Sequence, residues 1–212
     1  FPVGAMTEVS GRLILGAFQL LLGSWTLFNA PSDARLPAPL VRDGRPVVLY
    51  NPHPSPHLSS WYRHGRAVLE FFLAHPEYQL IFAPHVMLFQ RSFVVTIDRL
   101  RVHRAGHLDE RFLHAPNIHV DPGSSASTDM SYTQVADLYL GDVSSQVYEF
   151  LRKPRPCLFL NSHRREWQGD ANFDHWRAGP VVPSPALIYS GCREANPGPA
   201  PDSVHFQEAM FA

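Results

Sequence analysis

From residue 47 onward, the sequence alternates short apolar runs with segments that have the composition of helices. The apolar runs are residues 47–51 (VVLYN), 78–84 (YQLIFAP), 117–121 (NIHVD), 136–142 (ADLYLGD) and 156–161 (PCLFLN). Runs this short, with so few polar interruptions, are typical of parallel strands that helices cover on both faces. The alternation therefore predicts an α/β fold, a Rossmann-like parallel sheet flanked by helices.

The clearest helix follows the first apolar run. Ser59 and Ser60 are residue types that cap helix N-termini, and the pattern after them predicts a helix that ends near His75. The apolar face of this helix would consist of Trp61, Val68, Leu69, Phe72 and Leu73. With 212 residues, of which 45% are hydrophobic, the chain is long enough to bury a core of this kind.

The segments outside this domain have a different composition. Residues 13–28 form the most apolar run and predict a buried or partner-facing helix, with a signal peptide or membrane anchor as the alternative. Residues 30–46 are rich in proline and predict a linker. The expected organisation is a helical segment with a Pro-rich linker at 1–45, a Rossmann-like domain at 46–190 and a tail at 191–212. Because the first residue is Phe1, we expect a fragment, a processed chain or a chain with a foreign start.

Charge and cysteine content exclude some classes of partner. A formal net charge of −1 and a pI near 6.9 provide no overall attraction to nucleic acid or to an anionic membrane, so a phosphate site must be local. Lys153 is the only lysine, and nearly all cations are therefore arginines, whose planar guanidinium suits phosphate and carboxylate groups. Cys157 and Cys192 form no CxxC, which argues against a zinc knuckle or a disulfide scaffold and favours a reducing compartment.

The stretch YLGDVSSQVYEF, residues 139–150, places hydroxyl side chains between a predicted strand and a predicted helix. Ligands of open α/β sheets bind beyond the carboxyl ends of the strands, where helix N-termini attract anions. Gly141 would let a ligand approach the backbone, and Asp142, Ser144 and Ser145 would complete a phosphate-binding cradle with the first-turn N–H groups. Glu149, two turns into the predicted helix, would accept hydrogen bonds from a ribose. The alternative is that Asp142 or Ser144 only caps the helix and that Glu149 is a solvated charge.

The order of these segments resembles the C-terminal half of the CDP-glycerol glycerophosphotransferase family. The matching segments are VVLYNPH (47–53), YQLIFAPH (78–85), NIHVD (117–121) and ADLYLGDVSSQVYEFLRKPRPCLFLN (136–161), within a resemblance that covers about residues 46–183. The same half is more distantly similar to UDP-N-acetylglucosamine 2-epimerases. Both belong to the GT-B type, in which two Rossmann-like domains face each other across a cleft. The resemblance implies that this chain is the donor nucleotide-binding half of such a transferase.

The resemblance also implies roles for individual residues. Ser144 and Ser145 would hold the pyrophosphate of the donor, and Glu149 would face its ribose. His85 matches the family histidine that closes the second strand, and it is the catalytic candidate. As a protonated imidazole, it would stabilise charge on the leaving nucleotide phosphate.

The first-strand turn departs from the family pattern. Asn51-Pro52-His53 stands in place of a Thr-Trp pattern, and Val86 follows His85 where the family has proline. Asn51 and His53 are the nucleotide-binding candidates in this turn. The second catalytic histidine of the family lies in a His-Gly pair of the other half, whereas the pair at residues 64–65 falls inside the predicted helix and is no counterpart.

The function that the resemblance implies is transfer of a glycerol-phosphate, polyol-phosphate or sugar unit. The donor would be CDP- or UDP-activated, and the acceptor a cell-envelope polymer, such as a teichoic acid-like one, or an envelope lipid. No cofactor and no metal is implied, because the activated nucleotide is itself the substrate. The implied location is cytoplasmic, with peripheral association with the inner face of the membrane left open. A nucleotide-sugar epimerase and a non-catalytic nucleotide-binding module are the alternatives, and we expect the isolated chain to be inactive.

The segment between the second and third apolar runs is rich in histidine and arginine. His103 and His107 are spaced as two metal ligands on a helix would be, but Gly106 lies between them and no third ligand has a recognisable spacing. Surface histidines are therefore the favoured interpretation. The basic residues predict a solvated helix face, with an anionic acceptor or a lipid headgroup site as the alternative; they are Arg99, Arg101, Arg104 and Arg111.

Overall fold

Six short strands form one parallel sheet in this protein. The structure, a computed structural model, describes residues 34–90, 93–96 and 101–188 together with Ser190 and Cys192. In chain order the strands are β1 (Val47–Asn51), β2 (Gln79–Phe82), β3 (Val94–Thr96), β4 (Arg101–His103), β5 (Ile118–Val120), β6 (Leu138–Gly141), β7 (Cys157–Leu160) and β8 (Val181–Val182). The order across the parallel sheet is β5-β2-β1-β6-β7-β8, and β3 and β4 form a separate antiparallel pair. The predicted α/β fold with a Rossmann-like parallel sheet is confirmed.

One long helix and several short ones accompany the sheet. They are α1 (Trp61–Ala74), α2 (Met87–Gln90), α3 (Glu110–Leu113), α4 (Ser131–Val135) and α5 (Gln146–Phe150), with 3-10 helices at Ser125–Ser127, Ala171–Ala178 and Pro185–Leu187. The predicted helix after the first strand is α1, and Val68, Leu69 and Phe72 lie on its buried face as expected. Ser60 precedes α1 without capping it through its side chain. Ser59 Oγ instead accepts a hydrogen bond from Trp61 N (3.1 Å).

The parallel sheet is buried on both faces. Every residue of β1, β2, β6 and β7 is buried. In β1, Val48 and Tyr50 belong to the core that contains Phe72 of α1, whereas Leu49 belongs to the opposite core, with Phe150 of α5. A strand covered on both sides needs apolar residues at consecutive positions, which explains why the runs in the sequence do not alternate with polar residues.

Some strands were not predicted. β8 has only two residues, which pair with the end of β7 (Phe159 with Val181 and Leu160 with Val182). β4 contradicts the helix expected for the basic region, because Arg101–His103 is extended and pairs with Val94–Thr96. Residues 94–96 are all β-branched, a composition that favours strands, and the interpretation based on charge spacing overlooked this preference.

The described part of the predicted linker, residues 34–46, has neither helix nor strand and is fastened to the amino-terminal edge of the sheet. Leu40 is buried in the core. The backbone N and O of Val41 bond to the side-chain amide of Gln79 (2.8 and 2.6 Å). Arg42 forms an ion pair with Asp137 (3.3 Å). Proline excludes regular structure from this segment, but it does not prevent the segment from packing.

Other expectations concern residues beyond this part of the chain. The apolar run at residues 13–28 and almost all of the predicted tail lie outside the described residues. Within the described ranges, no helix combines the length and the apolar character that crossing a membrane requires.

The close packing of α1 leads to a prediction for Gly65→Ala. A Cβ atom at this position would lie 2.1 Å from the ring of Trp61, and that ring stacks on Phe82 and packs edge-on against Phe89. Helix propensity alone predicts a gain of about 1 kcal/mol in the free energy of unfolding. We expect a loss of about 1–3 kcal/mol instead, because the indole must shift from its stacked position on Phe82.

Urea unfolding measures this change. The matched control is Arg66→Ala at the next position of α1, where the side chain is 70% exposed and a change below about 1 kcal/mol is expected. A more stable Gly65→Ala protein would contradict the described packing of α1.

Candidate functional site

The strand order creates a crevice at the centre of the sheet. From β1 the chain proceeds outward to β2 and β5, and it then returns to place β6 on the other side of β1. Asn51 and Gly141 are the last paired residues of β1 and β6. Ligands of open α/β sheets bind at such a switch point, beyond the carboxyl ends of the two strands. The residues after β1 and β6 are therefore the candidate site.

Asp142, directly after β6, connects three segments around this crevice. Its Oδ1 accepts hydrogen bonds from His53 N (2.9 Å) and Val143 N (2.7 Å). Its Oδ2 accepts from Ser60 N (2.5 Å) and Ser60 Oγ (2.7 Å), at the start of α1. The side chain is fully buried, and burial raises the pKa of the carboxyl although these donors oppose the shift. Asp142 thus holds the turns in place, a different use from the phosphate contact that its sequence position predicts.

The backbone carbonyl of Asp142 is held from the opposite side. His175 Nε2 (3.1 Å) and Trp176 Nε1 (2.9 Å), in the 3-10 helix Ala171–Ala178, both donate to this oxygen. Burial lowers the pKa of His175 to about 4, so its ring is neutral at pH 7. Sequence reasoning missed both residues, because nothing local to them indicates a contact with a turn more than thirty residues earlier.

Gly141 has a packing role that the sequence did not reveal. A Cβ atom there would lie 2.5 Å from Cε1 of Tyr139, two residues earlier on the same side of β6. Tyr139 is fully buried and cannot move aside. The glycine therefore makes room for a core ring, and the expected reason, close approach of a ligand to the backbone, is not the one that the structure provides.

Ser144 and Asn51 bind each other across the crevice. Ser144 Oγ donates to Asn51 Oδ1, and Asn51 Nδ2 donates to the carbonyl oxygen of Ala83 (2.6 Å). Both side chains are buried. The turns after β1, β2 and β6 are thereby tied together, and the hydroxyl proton of Ser144 is used within the protein.

Ser145 differs from its neighbour. It occupies the N-cap position of α5 in a helical backbone conformation, and its side chain makes no capping hydrogen bond. It is partly exposed, and its hydroxyl has no hydrogen-bond partner among the residues that the structure describes. Of the two predicted phosphate-binding hydroxyls, that of Ser145 is the one left open to a ligand.

Glu149 lies closer to the start of α5 than predicted. The helix has only five residues, so Glu149 stands about one turn from the first of them and not two. Its carboxylate pairs with Arg152 (2.9 Å), and the side chain is 16% exposed. Binding of a ribose hydroxyl by Glu149 remains a prediction, and the carboxylate would then accept hydrogen bonds from both the ribose and Arg152.

His53 and His85 stand side by side after β1 and β2. Their ring centroids are 6.5 Å apart, and His85 N donates to the carbonyl oxygen of Pro52 (3.2 Å). Burial lowers the pKa of His85, and burial with the nearby His85 lowers that of His53 to about 4. The structure thus brings the histidine candidates together, but it favours neutral rings over the protonated His85 that the resemblance implies.

The remaining candidates lie elsewhere. His103 is in β4 and His107 in the following loop, where Gly106 has a positive φ of 81°, so no helix presents the two histidines together. Among the described residues, no group of three or more metal-ligating side chains is found. Arg111 pairs with Glu70 (2.7 Å) on the surface. The pair at residues 64–65 lies inside α1, as expected.

Comparison with known proteins identifies similar solved structures. Neither a protein-family model nor a curated protein matches the chain. The wall teichoic acid polymerase TagF is similar with a TM-score of 0.50 and 14% identity, over 91% of this chain and 43% of the polymerase chain. A glycotransferase of kitacinnamycin has a TM-score of 0.49 and 15% identity, over 85% and 43% of the two chains. A variant of the polymerase soaked with CDPG has a TM-score of 0.49 and 16% identity, over 91% and 40%.

These similarities concern the fold. This chain spans less than half the length of the solved structures that it matches. Its six-stranded parallel sheet is the Rossmann-like arrangement that the resemblance in sequence implied, and it shares its fold with less than half of the polymerase chain.

The contacts of Asp142 lead to a prediction for Asp142→Asn. The amide keeps one oxygen acceptor, but it places an NH₂ group opposite Ser60 N, which then has no acceptor. An unsatisfied buried donor costs about 1–3 kcal/mol, and the free energy of unfolding should fall by that amount. The control Asp174→Asn changes an exposed carboxylate and should stay within about 0.5 kcal/mol of the parent. Equal stabilities of the two variants in urea would disprove the anchoring role.

The buried ring of His175 should make stability depend on pH. Because burial lowers its folded pKa to about 4, below the 6.5 of a free histidine, its contribution to stability is present above pH 6.5 and is lost as the pH falls towards 4. One pKa unit corresponds to about 1.4 kcal/mol, so this residue accounts for about 3 kcal/mol over that window. His175→Gln retains an N–H donor for the carbonyl of Asp142 and removes the titration. Its unfolding free energy, measured in urea between pH 7 and 4.5, should therefore fall less steeply than that of the parent.

Proposed function

We propose that this chain is the donor-binding domain of a transferase. The transferase would move a glycerol-phosphate, polyol-phosphate or sugar unit from a CDP- or UDP-activated donor to a cell-envelope polymer or lipid-linked acceptor. The observation that carries the proposal is the crevice beyond β1, β2 and β6, where His53, His85 and Ser145 have polar atoms that no residue of the described ranges binds. Similarity of the fold to TagF over 43% of that polymerase supports a transferase architecture.

In the proposed complex, the nucleoside diphosphate lies across the switch point between β1 and β6. The hydroxyl of Ser145 and the imidazole of His85 donate to the pyrophosphate, and hydrogen bonds to such charged groups contribute about 1.5–3 kcal/mol each. Negative charge develops on the nucleotide phosphate as the bond to the transferred unit breaks. A donor already positioned at that oxygen stabilises the charge without rearrangement, which is the main requirement of phosphoryl transfer.

The buried contacts contribute by keeping these groups in place. Asn51 and Ser144 tie the three turns together, and Asp142 fixes the backbone of His53. Because those polar atoms are satisfied inside the protein, they do not compete with the ligand for Ser145 or the histidines. In this proposal, Asn51 acts on the nucleotide through the shape of the turn.

The acceptor site is assigned to a second domain, in the same chain or in another. The matched polymerase is more than twice as long as the region that this chain covers, and a GT-B cleft needs two facing domains. Positioning of two reactants can be worth about 7–11 kcal/mol of the barrier. The domain alone should therefore bind a donor without transferring its unit.

An epimerase of related architecture is less well supported. Such an enzyme needs acid and base groups on both faces of a sugar. Asp142 is buried among protein donors, and Glu149 is paired with Arg152. Neither of these carboxylates is available as a free general base.

Calorimetric titration tests the proposed ligand class. CDP-glycerol, CDP-ribitol, UDP-N-acetylglucosamine and CMP are titrated separately into the chain at pH 7. We expect the diphosphate-containing ligands to bind at least tenfold more tightly than CMP, because the pyrophosphate adds at least one charged hydrogen bond. Failure of every diphosphate ligand to bind would refute the proposal.

The serines provide a sharper test, because the structure separates their roles. Ser145→Ala removes an open hydroxyl, so the affinity for the best diphosphate ligand should fall about tenfold at an unchanged melting temperature. Ser144→Ala removes the partner of buried Asn51 and should lower the free energy of unfolding by about 1–3 kcal/mol. If Ser145→Ala binds the diphosphate as well as the parent does, this hydroxyl takes no part in the site.

A further inference from the structure

We propose that His53 and His85 act together as a pair of neutral N–H donors that clamp the pyrophosphate of the donor, each through its Nε2 atom. This inference rests on the proposed function and names the groups that recognise its substrate. It adds His53 to the phosphate site, a role distinct from the nucleotide contact expected in its turn.

The backbone determines which ring nitrogen carries the proton. Ser55 N donates to His53 Nδ1 (2.9 Å), and Met87 N donates to His85 Nδ1 (3.2 Å). A backbone N–H can only donate, so each Nδ1 must be an unprotonated acceptor. In a neutral imidazole the single proton then resides on Nε2. Both rings are thus locked as Nε2–H donors by the same contact, a bond from the backbone two residues later.

The Nε2 atoms are directed away from those backbone contacts. In an imidazole ring the two nitrogens point to different sides, and here Nδ1 faces the turn. Neither Nε2 atom hydrogen-bonds to another residue within the described part of the chain. The ring centroids are 6.5 Å apart, which places both rings within reach of one pyrophosphate group in the proposed complex.

The two rings are also held at the backbone. His53 N donates to the buried carboxylate of Asp142 (2.9 Å), and His85 N donates to Pro52 O (3.2 Å), in the turn that carries His53. The two turns therefore form one unit, and the rings do not need to be ordered when the ligand arrives. Preorganised donors of this kind lose little conformational entropy on binding.

Neutrality is consistent with the surroundings of the rings. Burial lowers the pKa of both histidines, and the mutual repulsion of two charged rings lowers that of His53 further. Asp142 faces the backbone of His53, and its charge is taken up by four donors. Two neutral N–H groups in a partly buried crevice can bind an anion strongly, because the local dielectric constant is below that of water.

Two variants of His53 separate a binding role from a structural one. Asn places its side-chain oxygen near the position of Nδ1, so His53→Asn retains the acceptor for Ser55 N and removes the outer donor. Gln places its amide near the position of Nε2, so His53→Gln retains the outer donor and removes the inner acceptor. We expect His53→Asn to lose at least tenfold in affinity for CDP by calorimetry, and His53→Gln to lose no more than about threefold. The reverse order would assign His53 to the structure of the turn and overturn the proposal.

Long-range ¹H–¹⁵N NMR of the free chain at pH 7 reports on the same inference without a nucleotide. Both rings should carry their proton on Nε2, and addition of inorganic pyrophosphate should shift both Nε2–H signals. A proton on Nδ1 of either ring, or signals that do not respond to pyrophosphate, would refute the clamp. Response to pyrophosphate without binding of any activated nucleotide would uphold the clamp and refute the proposed function, so the two can fail separately.

Discussion

The site depends on one buried carboxylate. Asp142 accepts hydrogen bonds from the turn after β1, from Ser60 directly before α1 and from its own turn after β6. A buried charge is costly unless it is satisfied, and here four donors satisfy it. The segment between β7 and β8 contributes as well, since His175 and Trp176 donate to the carbonyl oxygen of the same residue. The shape of the crevice is therefore a consequence of where this carboxylate finds its donors.

The polar residues around the crevice divide into two kinds. Asn51 and Ser144 are buried and bind each other, which joins the ends of the strands. Ser145, His53 and His85 are only partly buried and keep polar atoms that no described residue occupies. This division follows from a general requirement. A polar group removed from water needs a hydrogen-bond partner inside the protein, whereas a group at the surface of a crevice can bond to water or to a ligand. Residue type alone does not distinguish the two kinds, as the adjacent serines demonstrate.

The crevice recognises an anion, in our proposal, through dipoles and not through net charge. The chain as a whole has a formal charge of −1, and the histidine rings are neutral at pH 7 because burial disfavours their charged forms. Hydrogen-bond donors fixed in direction favour ligands with oxygen atoms at matching positions, whereas a cationic patch attracts any anion. Such a site would select its ligand by the positions of the phosphate oxygens, and it would not rely on long-range electrostatic attraction.

The fold class, five of the six strands of the sheet and the long helix α1 follow from the sequence alone, because a strand or helix buried in a core must carry apolar residues at regular positions. The sequence also predicted the turns that form the candidate site, because the carboxyl ends of parallel strands meet at one edge of the sheet. The role of each polar residue in these turns emerges only in the folded chain. Folding places Gly141 against the ring of Tyr139, and it gives the hydroxyl of Ser144, but not that of Ser145, a hydrogen-bond partner among the described residues. Folding also gives Asp142 hydrogen-bond donors such as Ser60, 82 residues away in the chain. Local patterns report burial and backbone preference, whereas a hydrogen bond between distant segments exists only once the sheet has placed them side by side.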